Sequence, residues 1–280
     1  MRALRWHGRQ DIRMDDVEAP EPGPGQVLVR VAYAGLCGTD FGEVDHGPTM
    51  IRETAHPLTG QAPPITLGHE FSGTIVAVGE EVTTHGVGQR VTADACLRCG
   101  VCQWCRTGEY HICARGGSIG LSSDGGFASL VAVPAENAVA IPDAVSLQHA
   151  AVAEPLAVGL HAVTRGGVRA GDTVLVIGGG PIGYAAVLAA VLNGAAQVFV
   201  SEPLAARAQL VRQAGATEVF DPTSVDVRRE VFLRTGRIGP DVVIEATGRA
   251  DQYPLAVTSV RRGGTVVLAG VGEVDVSVDL

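Results

Sequence analysis

Lysine is absent from this chain: all 21 basic residues among its 280 are arginine, which excludes any mechanism that needs a lysine amine. Basic charge is scarce as a whole. Acidic residues number 30, leaving a net charge of −9 and a pI near 5.3. Nucleic acid and anionic membrane surfaces reward the opposite sign, so neither is an expected partner. No stretch approaches the roughly 18 uninterrupted apolar residues that span a bilayer. The opening MRALRWHGRQDIRM also lacks the apolar core of a signal peptide, so the expected location is the cytoplasm. Internal repeats and low-complexity tracts are missing too. With 46% hydrophobic and 18% charged residues, disorder, coiled coil and collagen-like repeats are disfavoured and a globular α/β composition remains. Cysteine is absent outside the stretch from Cys37 to Cys113, and five of the six crowd into Cys96 to Cys113. A disulfide scaffold spread over a secreted chain would not do this, so metal binding becomes the leading idea.

At roughly 100–200 residues per domain the length suggests two compact domains. In the first half, residues 26–34 (QVLVRVAYA) alternate with the two-residue period of a half-buried strand, after a Pro/Gly-rich turn region at 18–25. Further short strands at 73–78, 90–93 and 128–133 predict a β-rich barrel or sandwich. The segment 42–64 reads as a long loop, and such loops are usually functional. After about Pro142 the texture changes to Ala-rich helices at 148–163, 181–193 and 204–214. These interleave with apolar strands at 173–178, 197–201, 218–220, 241–245 and 265–269. That alternation predicts a doubly wound parallel sheet with right-handed crossovers. The full dinucleotide-binding sheet has six strands and five are identifiable, so the last strand is expected to be missing at the C-terminus. The closing VDVSVDL would leave an open sheet edge unless another segment or chain covers it.

Three constellations carry chemistry. Cys99, Cys102, Cys105 and Cys113 follow a C-x2-C-x2-C-x7-C spacing that folds one loop around a tetrahedral ion, the pattern of a closed structural zinc site; disulfides or free thiols are the alternative. Cys96 is left over, either as a free thiol or as a further ligand. Cys37 in GLCGTD, His69 and Glu70 in TLGHEFSG, and Glu154 in AVAEPLAVGLHAV form a mixed set from distant segments, the pattern of a catalytic zinc with an open position. Taken singly, Cys37 reads as a core thiol and Glu154 as a helix-end or salt-bridge residue. The third is G-x-G-x-x-G at Gly178, Gly180 and Gly183, with Pro181 and Ile182 between, directly after a strand and opening a helix. Its amides can receive a pyrophosphate. Glu202 follows the next strand at the distance of a ribose-binding carboxylate and favours NAD over NADP. Arg207 could offset that preference, or simply lie on a solvated helix face.

Through GLCGTD, HPLTG followed by PPITLGHEFSG, CGVCQWC, AVAEPLAVGLHAV, GGGPIG and VSEP, the chain resembles the zinc-dependent medium-chain alcohol dehydrogenases, and within them the 2,3-butanediol branch. The resemblance implies a GroES-like zinc-binding catalytic domain at 1–145 and a Rossmann NAD domain at 146–280, with the active site in the cleft between them. It assigns Cys37, His69 and Glu154 as catalytic zinc ligands and Glu70 as an exchangeable one, giving two zinc ions per chain. It places Thr39 at the start of a proton relay. The implied substrate is a small secondary alcohol or vicinal diol, 2,3-butanediol with acetoin in reverse. A sorbitol-type polyol or threonine, or a non-catalytic NAD- and zinc-binding role, are the alternatives. Two departures stand out. Gly42 occupies the place where the family usually has a relay histidine, leaving His46 or solvent to end the relay. Family members also continue past Leu280 with a last strand and a segment that returns to the catalytic domain, so a fragment of a longer homo-oligomeric enzyme, dimer or tetramer, is expected.

Overall fold

The computed structural model describes residues 1–272. The chain folds as two compact units, Met1–Glu154 and Pro155–Leu280. In the first, the elements in order are β1 (Arg2–Gly8), β2 (Asp11–Asp16), β3 (Gln26–Gly35), α1 (Gly38–His46), β4 (Ile65–Thr66), β5 (Glu70–Val78), β6 (Arg90–Ala93), β7 (Cys96–Leu97), α2 (Gln103–Arg106), β8 (Gly117–Ser118), β9 (Leu130–Pro134), β10 (Ala138–Ala140) and α3 (Leu147–Ala150). They form a three-stranded sheet β2-β1-β4, a five-stranded sheet β10-β6-β5-β3-β9 and the small pair β7-β8.

The five-stranded sheet buries Val27, Val29, Phe71, Ile75, Val91, Val131 and Val133 in one cluster. The alternation read over 26–34 is not kept, since Val27, Leu28 and Val29 are all buried. Register shifts against β5 at Leu28/Val29 and Val31/Tyr33 interrupt the two-residue period there. β5 crosses β3 so closely that a Cβ on Gly73 would lie 2.1 Å from the Arg30 carbonyl oxygen. The segment expected as a loop from 42 begins with helix α1. Two Gly, a Thr, a Val and two Asp make its sequence GTDFGEVDH a poor helix former, so tertiary ties hold it. The Cys37 amide donates to Asp40 Oδ2 at 3.0 Å at its start. The buried Glu43 carboxyl accepts from the amides of Thr49, Met50 and Ile51 beyond its end.

The single helix expected over 148–163 is two: α3, and α4 (Ala153–Gly166). Pro155 supplies the reason, because within a continuous helix its ring would meet the carbonyl of Ala151 and it has no N–H to donate; in the first turn of α4 it is tolerated.

The second unit continues with β11 (Thr173–Ile177), α5 (Pro181–Leu192), β12 (Gln197–Ser201), α6 (Ala205–Gln213), β13 (Glu218–Phe220), α7 (Val227–Arg234), β14 (Val242–Glu245), α8 (Tyr253–Ser259) and β15 (Thr265–Leu268). The strands are parallel in the order β13-β12-β11-β14-β15. Their side chains alternate between two buried faces: Val174, Val176, Val198, Val200, Val242 and Ile244 on one, Leu175, Ile177, Phe199 and Val243 on the other. Burial of both faces accounts for the near-continuous apolar runs in the sequence. The expected edge at 274–280 lies outside the described residues. Among those that are described, no helix is long and apolar enough to cross a membrane.

Candidate metal and nucleotide sites

The ligand atoms of Cys99, Cys102, Cys105 and Cys113 lie within 4.8 Å of one another. The Cys102 sulfur is 3.4 Å from that of Cys105 and 3.8 Å from that of Cys113. A tetrahedron of sulfurs at zinc's bond length of about 2.3 Å has an edge of about 3.8 Å, so the spacing fits such an ion, and none of these cysteines is in a disulfide. Electrostatics agree. The amides of Val101 and Cys102 push the Cys99 thiol down to about 6, while desolvation and the thiol of Cys102 push Cys105 up to about 12. Four thiolates this close need a cation between them. Cys96 is outside the set; burial and the nearby Asp94 carboxylate push its thiol up to about 11.

The second cluster is assembled by strand register. β3 and β5 are antiparallel with Gly35 opposite Glu70, so Cys37, just past the end of β3, comes beside His69, just before β5. The ligand atoms of Cys37, His69 and Glu70 lie within 4.8 Å of one another. Gly35 leaves the space the Glu70 carboxyl occupies, since a Cβ there would lie 2.3 Å from Glu70 Oε2. Burial pushes the Cys37 thiol and the Glu70 carboxyl up. Glu154, in the first turn of α4, is pushed up by burial as well and feels the His69 ring and the Glu70 carboxyl, but it is not one of the close set. Helix α3 brings it to this end of the sheet: the Ser72 hydroxyl donates to the Leu147 carbonyl at 2.5 Å and the Thr92 hydroxyl to that of Ala150 at 3.0 Å.

Thr39 Oγ1 lies 3.3 Å from His69 Nε2. On the other side of the ring, Asp40 Oδ1 lies 3.8 Å from His69 Nδ1. Sequence reasoning missed Asp40, although its place three residues after Cys37 in GLCGTD was a signal for a group on the same helix turn. The His69 Nδ1 and Asp40 Oδ1 atoms are buried without a hydrogen-bond partner. A half-buried thiol beside a buried imidazole and a buried carboxyl form a donor set that fits a divalent zinc ion. His46 is exposed at the end of α1. Seven residues beyond Thr39 on the same helix, it is displaced by about 10 Å along the axis.

In the second unit, Gly178 follows β11 with φ +97°, Gly180 caps α5 and Pro181 is its first residue, with Ile182 next. A Cβ on Gly183 would lie 1.9 Å from the Gly178 carbonyl oxygen, so only glycine lets the helix start this close to the strand. Glu202 is 4% exposed. Its Oε2 accepts from the Gly179 amide and its Oε1 from the Leu204 amide, each at 2.7 Å. The carboxyl is thereby fixed against the glycine turn. Arg207 on α6 is exposed but leans toward this turn, its Nη1 lying 3.9 Å from where a Cβ on Gly180 would sit.

Residues 23–143 match the alcohol dehydrogenase GroES-like domain and residues 181–280 the zinc-binding dehydrogenase domain. The (R,R)-butanediol dehydrogenase of Bacillus subtilis (strain 168) is 37% identical over 275 residues, which are 98% of this chain and 78% of that protein. The L-threonine 3-dehydrogenase of Pyrococcus abyssi is 35% identical over 94% of this chain and 74% of its own length. Among solved structures, the crystal structure of 2R,3R-butanediol dehydrogenase from Bacillus subtilis aligns with a TM-score of 0.91 at 36% identity, covering 99% of this chain and 79% of that one. A zinc-binding dehydrogenase from Sinorhizobium meliloti 1021 bound to NADP aligns at 0.89 with 38% identity, covering 100% and 79%. With the GroES-like and doubly wound units both in place, the chain belongs to the zinc-dependent medium-chain alcohol dehydrogenase family.

Proposed function

We propose that this protein is an NAD-dependent dehydrogenase of small secondary alcohols or vicinal diols, with 2,3-butanediol and acetoin as the preferred pair. The observation that carries the reading is the meeting of Cys37, His69 and Glu70 beside the Thr39 hydroxyl, which gives one place for a metal and for a proton. Cys37, His69 and Glu70, with Glu154 near them, would hold zinc, and Cys99, Cys102, Cys105 and Cys113 a second, structural ion. Bound zinc supplies Lewis acidity that lowers the pKa of an alcohol. The Thr39 hydroxyl is placed to take up and pass on the alcohol proton at Oγ1, and the Asp40 carboxyl lies beside the far nitrogen of the His69 ring. With Gly42 lacking a side chain and His46 distant, solvent is the next proton carrier after Thr39. The amides opening α5 bind a pyrophosphate. The Glu202 carboxyl favours an unphosphorylated adenosine ribose, and Arg207 narrows that preference. The B. subtilis relative named for butanediol supports the substrate, whereas the P. abyssi relative named for threonine supports the runner-up.

The test is metal content together with NAD- and NADP-dependent oxidation of 2,3-butanediol, threonine and sorbitol. Two zinc ions and fastest turnover of the diol with NAD are expected. Zinc-loaded protein that binds NADH yet oxidises none of the three would overturn the enzyme reading.

A further inference from the structure

A second carboxyl at the nucleotide end of the sheet is more deeply buried than Glu202 and has no part in the chemistry above. Glu245 closes β14 and is 0% exposed. Its Oε1 accepts from the Thr247 amide at 2.7 Å and from the Thr247 hydroxyl, and its Oε2 accepts from the Gly248 amide at 3.1 Å. The Glu245 carbonyl oxygen accepts from the amides of Ala269 and Gly270 at 2.8 and 3.0 Å. One residue therefore ties together the turns that follow β14 and β15. These turns press backbone against backbone: a Cβ on Gly270 would lie 2.0 Å from the Gly248 amide nitrogen, and one on Gly248 would lie 2.4 Å from the Val271 carbonyl oxygen.

In an open parallel sheet a ligand lies beyond the carboxyl ends of the strands where the strand order reverses. Here that point is between β11 and β14, with β12 and β13 on one side and β15 on the other. The glycine turn after β11 forms one wall of the crevice and the 246–248 turn the other. They touch, since a Cβ on Gly178 would lie 2.7 Å from Thr247 Cγ2. Glu202 marks the β12 side as the adenosine half, which leaves the β14 side for the half carrying the second nucleotide.

We infer that Glu245 is a positioning residue that fixes the 246–248 turn as the wall of the nicotinamide half of the cofactor site. This rests on the nucleotide-binding reading above. Glu245→Gln keeps one acceptor oxygen but sets an NH2 against an amide or hydroxyl donor. Thr247→Val keeps the methyl against Gly178 and removes only one donor to Glu245, so it spares the fold if Glu245→Gln does not. The experiment measures Kd for NADH and, separately, for AMP, with zinc content as a control. NADH binding weaker by about tenfold in Glu245→Gln and about threefold in Thr247→Val is expected, with AMP affinity held within about twofold. Unchanged NADH affinity in both variants, or parallel loss of NADH and AMP as general destabilisation would give, overturns the inference. Wild-type protein that binds neither ligand would instead overturn the nucleotide-binding reading itself.

Discussion

Asp40, Glu70 and Glu154 share a buried neighbourhood in which desolvation holds each carboxyl above its ordinary range, the His69 ring offsetting only part of it. A carboxyl with a higher pKa in the folded chain than in the unfolded one contributes stability when protonated, and that contribution is lost as pH rises. The contribution of this site in the metal-free protein is therefore expected to fall as pH climbs from about 4 towards neutrality, while Asp11, Asp221, Asp241 and Asp251, held below the ordinary carboxylate range, work the other way; added zinc should therefore stabilise most near neutral pH. Melting curves with chelator and with zinc across that range check the sign; a stabilisation by zinc that shrinks toward pH 7 would contradict it. Cys37→Ser weakens the same site, so it should abolish turnover, lower the zinc content and remove the zinc-dependent part of the stability near neutral pH. Metal analysis beside an activity assay decides this. At the nucleotide turn, Glu202→Ala removes the acceptor for the Gly179 and Leu204 amides. Weaker NAD binding and less discrimination against NADP are expected from it, read as Kd for each cofactor.

At the scale of elements, α5 illustrates how little freedom the fold has. Its helix is pressed onto β11 at Gly183, where a Cβ would meet the rigid Gly178 carbonyl rather than a movable side chain. Gly183→Ala should cost about 1–3 kcal/mol through overpacking and lose NADH binding with it; a melt and a titration together check both. The strands of this unit were legible because each is a short apolar run between turn residues, and the glycine turn was legible because its glycines stand close together in the sequence between a strand and a helix. Helix α1 was not. Its sequence is a poor helix former, and its stability comes from Asp40 and Glu43 binding backbone groups on either side of it. The break between α3 and α4 was written in Pro155 but outweighed by the Ala-rich composition around it.

For the whole molecule, each unit has its own cores, Phe71 and Ile75 among the residues of the first, Val176 and Val200 of the second. Each unit also carries its own candidate ligand residues, the cysteine and His69 clusters in the first and the glycine turn in the second. NADH at 100 times its Kd stabilises whatever binds it by about 2.7 kcal/mol. Hydrogen exchange should then show NADH slowing the amides of β11 and β14, and chelation quickening those around residues 96–118. Unchanged exchange at β11 and β14 with NADH present would count against binding at the glycine turn.

Consecutive residues set the periodicity, the four-cysteine spacing and the glycine turn, because each rests on local backbone geometry or a short loop closing on an ion. The sequence by itself therefore determined the two fold classes and picked out the four cysteines whose sulfurs the fold brings together. Tertiary structure decided what depends on separate segments meeting. The β3–β5 register set Cys37 against His69 and Glu70, the packing of α1 brought Asp40 to the His69 ring, and the end of β14 buried Glu245 against the turn after β15. No spacing along the chain encodes these, since they follow from strand pairing and packing between residues tens of positions apart.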